Sequence, residues 1–317
     1  MSNFILPPQE ECPIPIHPTW QVMDSTKLQS WAKCPRSFFY EYLLGWRPNR
    51  KSNHLVFGQA WHLALEHLYK HNFKPTECAP AYELFLECYR KDFPETTDEW
   101  FGGKTPDNAL FALTEYVKKY QADPFEIKVL ETEVDGVVDI GSNRTLSARL
   151  DLVGQQDGRI MALEHKTGSR GGETWARQWS NSIQIGTYIY ALTSYFCKPQ
   201  DLLPKVVVNG TFFHKSKREF LRVPCMRTIV AMEEWLATVH TILDEIQGEI
   251  SKLVAEKGGG TQMRSFRMNP TSCTQYGCCQ YFDLCTCTFH PIEAAQAGYI
   301  PDGFKVSWWN PLERGAA

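Results

Sequence analysis

RLDLVGQQDGRIMALEHKTG, residues 149–168, decides the fold of this chain. Asp157-Gly158 is a two-residue hairpin signal between two runs rich in apolar side chains. A turn there pairs Gln156 with Arg159 and, further up the ladder, Asp151 with Glu164 and Arg149 with Lys166. Alternation puts Asp151, Val153, Ile160, Ala162, Glu164 and Lys166 on one face, and Leu150, Leu152, Met161 and Leu163 on the other. Directly opposed residues have Cβ atoms about 4.5–5.5 Å apart, so two facing carboxylates repel unless a cation lies between them. Mg²⁺ or Mn²⁺, taking oxygen ligands at about 2.0–2.2 Å, is the natural occupant. Lys166, beside it, can orient a water or stabilise charge developing on a phosphate. The ordinary alternative is a solvated sheet face with Lys166 as ion-pair partner, but apolar neighbours on both faces point to a central strand.

Outward from the hairpin the periodicities change twice. Residues 1–24 read as an irregular Pro-rich arm, and 25–124 as a helical region in which GQAWHLALEHLYKH is one long helix. Strand patterns begin near Phe125 in FEIKVLETEVDGVVDI; a helix follows the hairpin, then two more strands and a long helix ending at Gly258-Gly259-Gly260, so that 125–260 form the core. Residues 261–317 are Cys-rich and poorly periodic. The expected fold is α/β, a mixed sheet flanked by helices with an N-terminal helical region and a C-terminal Cys-rich lobe.

With 317 residues, 43% of them hydrophobic, the chain can bury a sizeable core, and a formal charge of −3 gives no global basic field, so nucleic-acid contacts would come from local basic patches. The first twenty residues lack the basic and apolar regions of a signal peptide, and no run of about 18 apolar residues follows, so a cytoplasmic protein with no membrane association is expected. In that reducing compartment eleven cysteines do not suggest a disulfide framework, and the clustered ones suggest metal.

ARLDLVGQQDGRIMALEHKTG resembles motifs II and III of the PD-(D/E)xK nucleases, in the RecB/AddB-type exonuclease branch, with Ala148 or Arg149 where the family's glycine often stands. The resemblance implies a restriction-endonuclease-like fold, with Asp151, Glu164 and the backbone carbonyl of His165 as metal ligands and Lys166 as the catalytic lysine. The family's Gly-x-x-x-His motif is matched by Gly58 and His62, which implies His62 as a further ligand; Glu66, four residues on, could orient it. His67 and His71 read as ordinary helical histidines. The branch's Gln-x-x-x-Tyr matches Gln184 and Tyr188, which would contact the nucleotide, and Glu131 in VLETEV stands where the branch often carries a strand acid.

The tail holds Cys273, Cys278, Cys279, Cys285 and Cys287 without the Cys-x2-Cys knuckles of a zinc ribbon. Iron-sulfur members of the same branch take one ligand from an N-terminal Cys-Pro, here Cys34-Pro35, and three from a C-terminal run. The resemblance therefore implies a [4Fe–4S] cluster on Cys34, Cys273, Cys279 and Cys285, with Cys278 and Cys287 as substitutes and zinc as the alternative metal. The expected substrate is DNA, single-stranded or at ends, with a recombination, helicase or single-strand-binding partner. Arg47, Arg50, Lys51, Arg170, Arg177, Lys215, Lys217, Arg218 and Arg222, together with Trp175 and Trp179, are the candidate tracking residues. The rival readings are a nuclease-derived module that binds without cutting and a zinc-dependent nucleic-acid adaptor.

Overall fold

The computed structural model of the chain describes residues 2–121, 128–198, 200–214, 218–256, 263–275, 278–286 and 290–313. Asp24 caps α1 (Ser25–Lys33) by accepting the Lys27 N–H, and Pro35 opens α2 (Pro35–Phe38), where its missing N–H costs nothing. A short strand β1 (Trp46–Pro48) follows, then α3 (Asn53–Lys70), α4 (Cys78–Tyr89) and α5 (Pro106–Tyr120). Three strands come next: β2 (Lys128–Gly141), β3 (Arg144–Gln156) and β4 (Arg159–Gly168). Helices α6 (Glu173–Arg177) and α7 (Ile183–Phe196) lead to β5 (Lys205–Phe213) and β6 (Arg218–Cys225). The chain ends with α8 (Ile229–Glu256), α9 (Phe282–Thr286), α10 (Pro291–Gln296) and β7 (Phe304–Val306).

The main sheet has the order β2-β3-β4-β5-β6. Strands β3 and β4 are antiparallel in the register the Asp157-Gly158 turn dictates, from Gln156↔Arg159 to Leu152↔Leu163. Strands β4 and β5 are parallel, which requires a crossover, and α7 supplies it, packed against both. Strand β6 returns antiparallel to β5. This is the mixed α/β sheet flanked by helices of a restriction-endonuclease-like fold.

The described chain divides into two units. The second, residues 51–136 and 149–232, has a core in which Phe57, Trp61, Leu65 and Leu68 of α3 pack with Phe85 and Tyr89 of α4 and Leu113 and Tyr116 of α5. Leu152, Met161 and Leu163 join that core, so the apolar face of the hairpin faces the helices, as its alternation requires. The first unit, residues 1–50, 137–148 and 233–317, joins both ends of the chain: β1 pairs antiparallel with β7. There the C-terminal PDGFKVSWWNPLE stretch packs back on N-terminal residues. Trp308 stacks on His17 with ring centroids 4.1 Å apart, Trp309 Nε1 donates to Asp24 at 3.0 Å, and a Cβ on Gly45 (φ +67°) would lie 2.9 Å from the Trp308 ring. No helix among the described residues is long and apolar enough to cross a membrane.

Candidate active site

All the residues of the hairpin constellation lie in the second unit. Asp151 Oδ2 accepts the backbone N–H of His165 at 2.7 Å, and its Oδ1 lies 3.3 Å from His62 Nδ1. The other nitrogen of His62, Nε2, is 3.0 Å from the His165 carbonyl oxygen. His62 therefore sits between the carboxylate and the carbonyl that sequence assigned as its fellow ligands. Glu164, only 2% exposed, accepts Lys166 Nζ at 2.6 Å and Gln184 Nε2 at 3.0 Å on Oε1, while its buried Oε2 has no hydrogen-bond partner. Gln184 also donates to the Tyr188 hydroxyl at 2.8 Å, so the Gln-x-x-x-Tyr pair forms one chain of contacts ending on Glu164.

Two of the neighbouring acids are arranged otherwise than sequence suggested. The strand acid brought into the cluster is Glu133, whose carboxylate lies with His62 and Asp151 inside a 4.8 Å group; Glu131 is exposed. The reason is local: Glu133 has φ +50°, a break in β2 that spoils simple alternation. Glu66 does not orient His62, because both imidazole nitrogens are already engaged; it accepts Lys70 at 2.6 Å and Thr132 at 3.2 Å instead.

The electrostatics follow from burial and crowding. Burial opposes ionisation of Asp151, but His62 outweighs it and holds the carboxyl well below its ordinary range. Conversely, burial disfavours the His62 cation, yet Asp151 pushes its pKa up to about 9. Burial, reinforced by Asp151, raises Glu164, and the same two causes in the same order push Glu133 up to about 7. Burial works against the Lys166 cation, and Glu164 more than restores it. Asp151 thus raises both Glu164 and Glu133, a repulsion among carboxylates that a divalent cation would relieve. The donors present, carboxylates, a carbonyl and one imidazole, suit Mg²⁺ or Mn²⁺, and the orphaned Glu164 Oε2 is a buried acceptor such an ion would satisfy.

Beneath His165 lies a buried polar chain that sequence did not signal. Asn209 Nδ2 donates to His165 Nδ1 at 3.1 Å and to the Tyr116 hydroxyl, which meets the Tyr69 hydroxyl at 2.8 Å; Arg222 stands 3.4 Å from Tyr69 and 3.7 Å over the Tyr120 ring. Burial drives His165 down to about 3, so its imidazole is neutral and accepts from Asn209. Arg222 is thus a packing residue and not part of a basic track. Arg218 pairs with Glu115 and Arg177 with Glu173, while Lys215 and Lys217 lie outside the described residues. Trp179 lies 5.6 Å from the Lys166 ammonium, with Trp175 edge-on to it at 5.4 Å.

The cysteines called from sequence lie in the first unit, apart from Cys287, which is outside the described residues. Cys34 sits between α1 and α2 and its Sγ accepts the Asn269 N–H at 3.4 Å. Cys279 N–H bonds the Cys273 carbonyl at 2.8 Å. Burial raises the Cys273 thiol, and Cys279, Cys34 and Cys278 raise it further; burial, opposed by Arg36 and Tyr40 and reinforced by Cys34 and Cys279, pushes Cys285 up to about 11. Cys34 and Cys279 thus act on both Cys273 and Cys285.

A family model for the PD-(D/E)XK nuclease superfamily matches residues 25–286. The chain belongs to the PD-(D/E)XK nuclease superfamily. No curated protein matches it. Among solved structures it is similar to one from Eubacterium rectale described as a "Putative exonuclease", at 14% identity over 75% of this chain and 83% of that one, with a TM-score of 0.46. As a PD-(D/E)XK nuclease, the chain carries its motif on the central β3–β4 hairpin, with the Gly58/His62 helix and the Gln184/Tyr188 helix on either side in sequence.

Proposed function

We propose that this nuclease is a Mg²⁺- or Mn²⁺-dependent DNA exonuclease of the RecB/AddB type, acting on single-stranded DNA or DNA ends in recombination, repair or mobile-element DNA processing. The observation that carries the reading is the buried carboxylate Glu164, with one oxygen held by Lys166 and Gln184 and the other unsatisfied, beside Asp151, His62 and the His165 carbonyl. Asp151, Glu164, His62 and the His165 carbonyl would hold the ion, and Glu133, whose carboxylate groups with His62 and Asp151, is a further acid for it. The ion supplies Lewis-acid polarisation of a phosphate oxygen and acidifies water. Lys166, kept cationic by Glu164, presents its ammonium to the attacking water or the phosphate. Gln184 and Tyr188 hold the Glu164 carboxylate in place and offer an amide and a phenol toward the strand. Trp179 and Trp175 offer ring faces for base stacking, which tolerates any sequence.

In the first unit, Cys34, Cys273, Cys279 and Cys285 would hold a [4Fe–4S] cluster. Their mutual electrostatic influence supports the grouping. A zinc ion, with Zn–S near 2.3 Å, would need sulfurs roughly 3.8 Å apart. Metal analysis of the purified protein separates zinc from iron-sulfur. A helicase, recombination or single-strand-binding protein in the cytoplasm is the expected partner. The test is digestion of end-labelled single-stranded, double-stranded and circular DNA with Mg²⁺ or Mn²⁺. Loss of the linear substrates with the circles spared is expected, and cleavage should vanish in Asp151→Asn. Cutting of circles would overturn the exonuclease assignment; binding without cutting would replace it with the non-catalytic module.

A further inference from the structure

The turn of α3 that follows the active-site segment carries a second cluster of metal donors. His67 and His71, one helical turn apart, stack with ring centroids 4.1 Å apart, and Glu77, just before α4, places Oε2 at 2.8 Å from His67 Nε2. One ligand atom from each of the three lies within 4.8 Å of the others. We propose that His67, His71 and Glu77 form a binding site for a zinc-class transition-metal ion, separate from the nuclease centre.

The donor chemistry decides the class of ion. Two imidazoles and one carboxylate suit Zn²⁺, Ni²⁺ or Cu²⁺, whereas Mg²⁺ prefers oxygen alone. A tetrahedral ion bound at about 2.0–2.2 Å spaces its ligands roughly 3.3–3.5 Å apart, so these donors close on it by side-chain rotation, with water in the fourth place. The orientation is already fixed in the way metal-binding histidines require: His71 Nδ1–H donates to the His67 carbonyl at 2.8 Å, leaving Nε2 to bind. The backbone between the ligands is also fixed. Asn72 and Phe73 take positive φ, the Phe73 N–H bonds the Leu68 carbonyl at 2.9 Å, and the Phe73 ring packs edge-on to Tyr69 at 4.4 Å. Ligation would replace the His67–Glu77 hydrogen bond, the imidazole proton leaving to solvent as the ion enters. The ion would tie the last turn of α3 to the start of α4. Nothing in this site depends on the nuclease reading.

The experiment is equilibrium dialysis of the full-length protein against Zn²⁺ with excess Mg²⁺ to occupy the oxygen-rich centre, comparing wild type with His71→Ala and Glu77→Gln. His71 is exposed and neither residue belongs to the active-site cluster, so both variants keep Mg²⁺-dependent cleavage. Wild type is expected to bind one more Zn²⁺ per chain than His71→Ala, to be stabilised by Zn²⁺ in a melting curve, and to lose at least tenfold in affinity for that ion in Glu77→Gln. Equal zinc content in wild type and His71→Ala would overturn the proposal. A Zn²⁺-dependent melting shift that survives in both variants would do so as well.

Discussion

Glu164 carries an imbalance that one side chain can expose: its Oε1 receives Lys166 and Gln184, and its Oε2 receives nothing. Replacing Lys166 by Met removes the ammonium while filling its space, and cleavage should fall by about 10²- to 10³-fold, the scale for losing one preorganised electrostatic group. A circular-dichroism spectrum like that of wild type would show that the fold survives. Gln184→Leu removes the two orienting hydrogen bonds, to Glu164 and to Tyr188, so the loss should be about 10- to 100-fold and appear as a higher Mg²⁺ requirement. If Gln184→Leu instead lowered the rate at saturating Mg²⁺ without changing that requirement, its role would be contact with the strand. Lys27 offers a residue test independent of the site. It is almost wholly buried, donates to the Thr19 and Val22 carbonyls at 2.6 Å each, and burial pushes its pKa down to about 8, with Asp24 only partly offsetting that. The folded pKa lies below the unfolded value, so between about pH 8 and 10.5 the unfolded chain holds a proton that the folded one has released. Stability therefore rises with pH across that window. Measured by urea unfolding, the difference between wild type and Lys27→Met should shift in favour of wild type by roughly 2–3 kcal/mol from pH 8 to 10.5; a flat difference would show that the ammonium stays charged.

At the scale of elements, the β3–β4 hairpin depends on its turn. Asp157 and Gly158 have φ of +52° and +76°, the paired positive values of the tight hairpin turn, and a Cβ on Gly158 would meet nothing within 4 Å. Gly158→Ala therefore costs only backbone strain, about 1 kcal/mol in urea unfolding. Asp157→Asn, which tolerates the same φ, should be close to neutral. A Gly158→Ala cost near zero would mean that the turn does not set the register. That register was legible because Asp-Gly fixes pairing locally, and with one face apolar a one-residue slip would bury the charges. The Gln184–Tyr188 contact was legible for a similar reason, since four residues along a helix is a distance sequence can read. Glu133 was not, because a left-handed residue inside β2 breaks the period on which the reading relies. The Asn209–Tyr116–Tyr69–Arg222 chain was not either: its members come from four separate elements, and Arg222 reads in sequence as one more surface cation.

On the scale of the whole molecule, each unit is assembled from segments far apart in sequence, and the first depends most on long-range ties. Sequence periodicity could not place its C-terminal stretch, since the order there comes from single contacts and not from a repeat. Arg36, next but one to Cys34, donates to the carbonyls of Phe266 at 2.9 Å and Met263 at 3.1 Å, and the Tyr281 hydroxyl donates to the Trp46 carbonyl at 2.8 Å. These bonds carry the cysteine-bearing segments of the two chain ends toward one another, but individually they stabilise by only about 1 kcal/mol each. A cluster bridging Cys34 and Cys273 would close a loop of roughly 240 residues, for which chain entropy gives about 5 kcal/mol. The first unit should therefore respond to loss of the cluster far more than to loss of any one hydrogen bond. Protein purified without oxygen should contain iron and absorb near 400 nm. Cys34→Ser should lose both and melt at a lower temperature, whereas Cys88→Ser, at a cysteine of the second unit, should retain them. Absence of iron from the anaerobic wild-type protein would remove the cluster from this account. Zinc in its place would be registered by X-ray absorption at the metal edge as Zn–S distances near 2.3 Å.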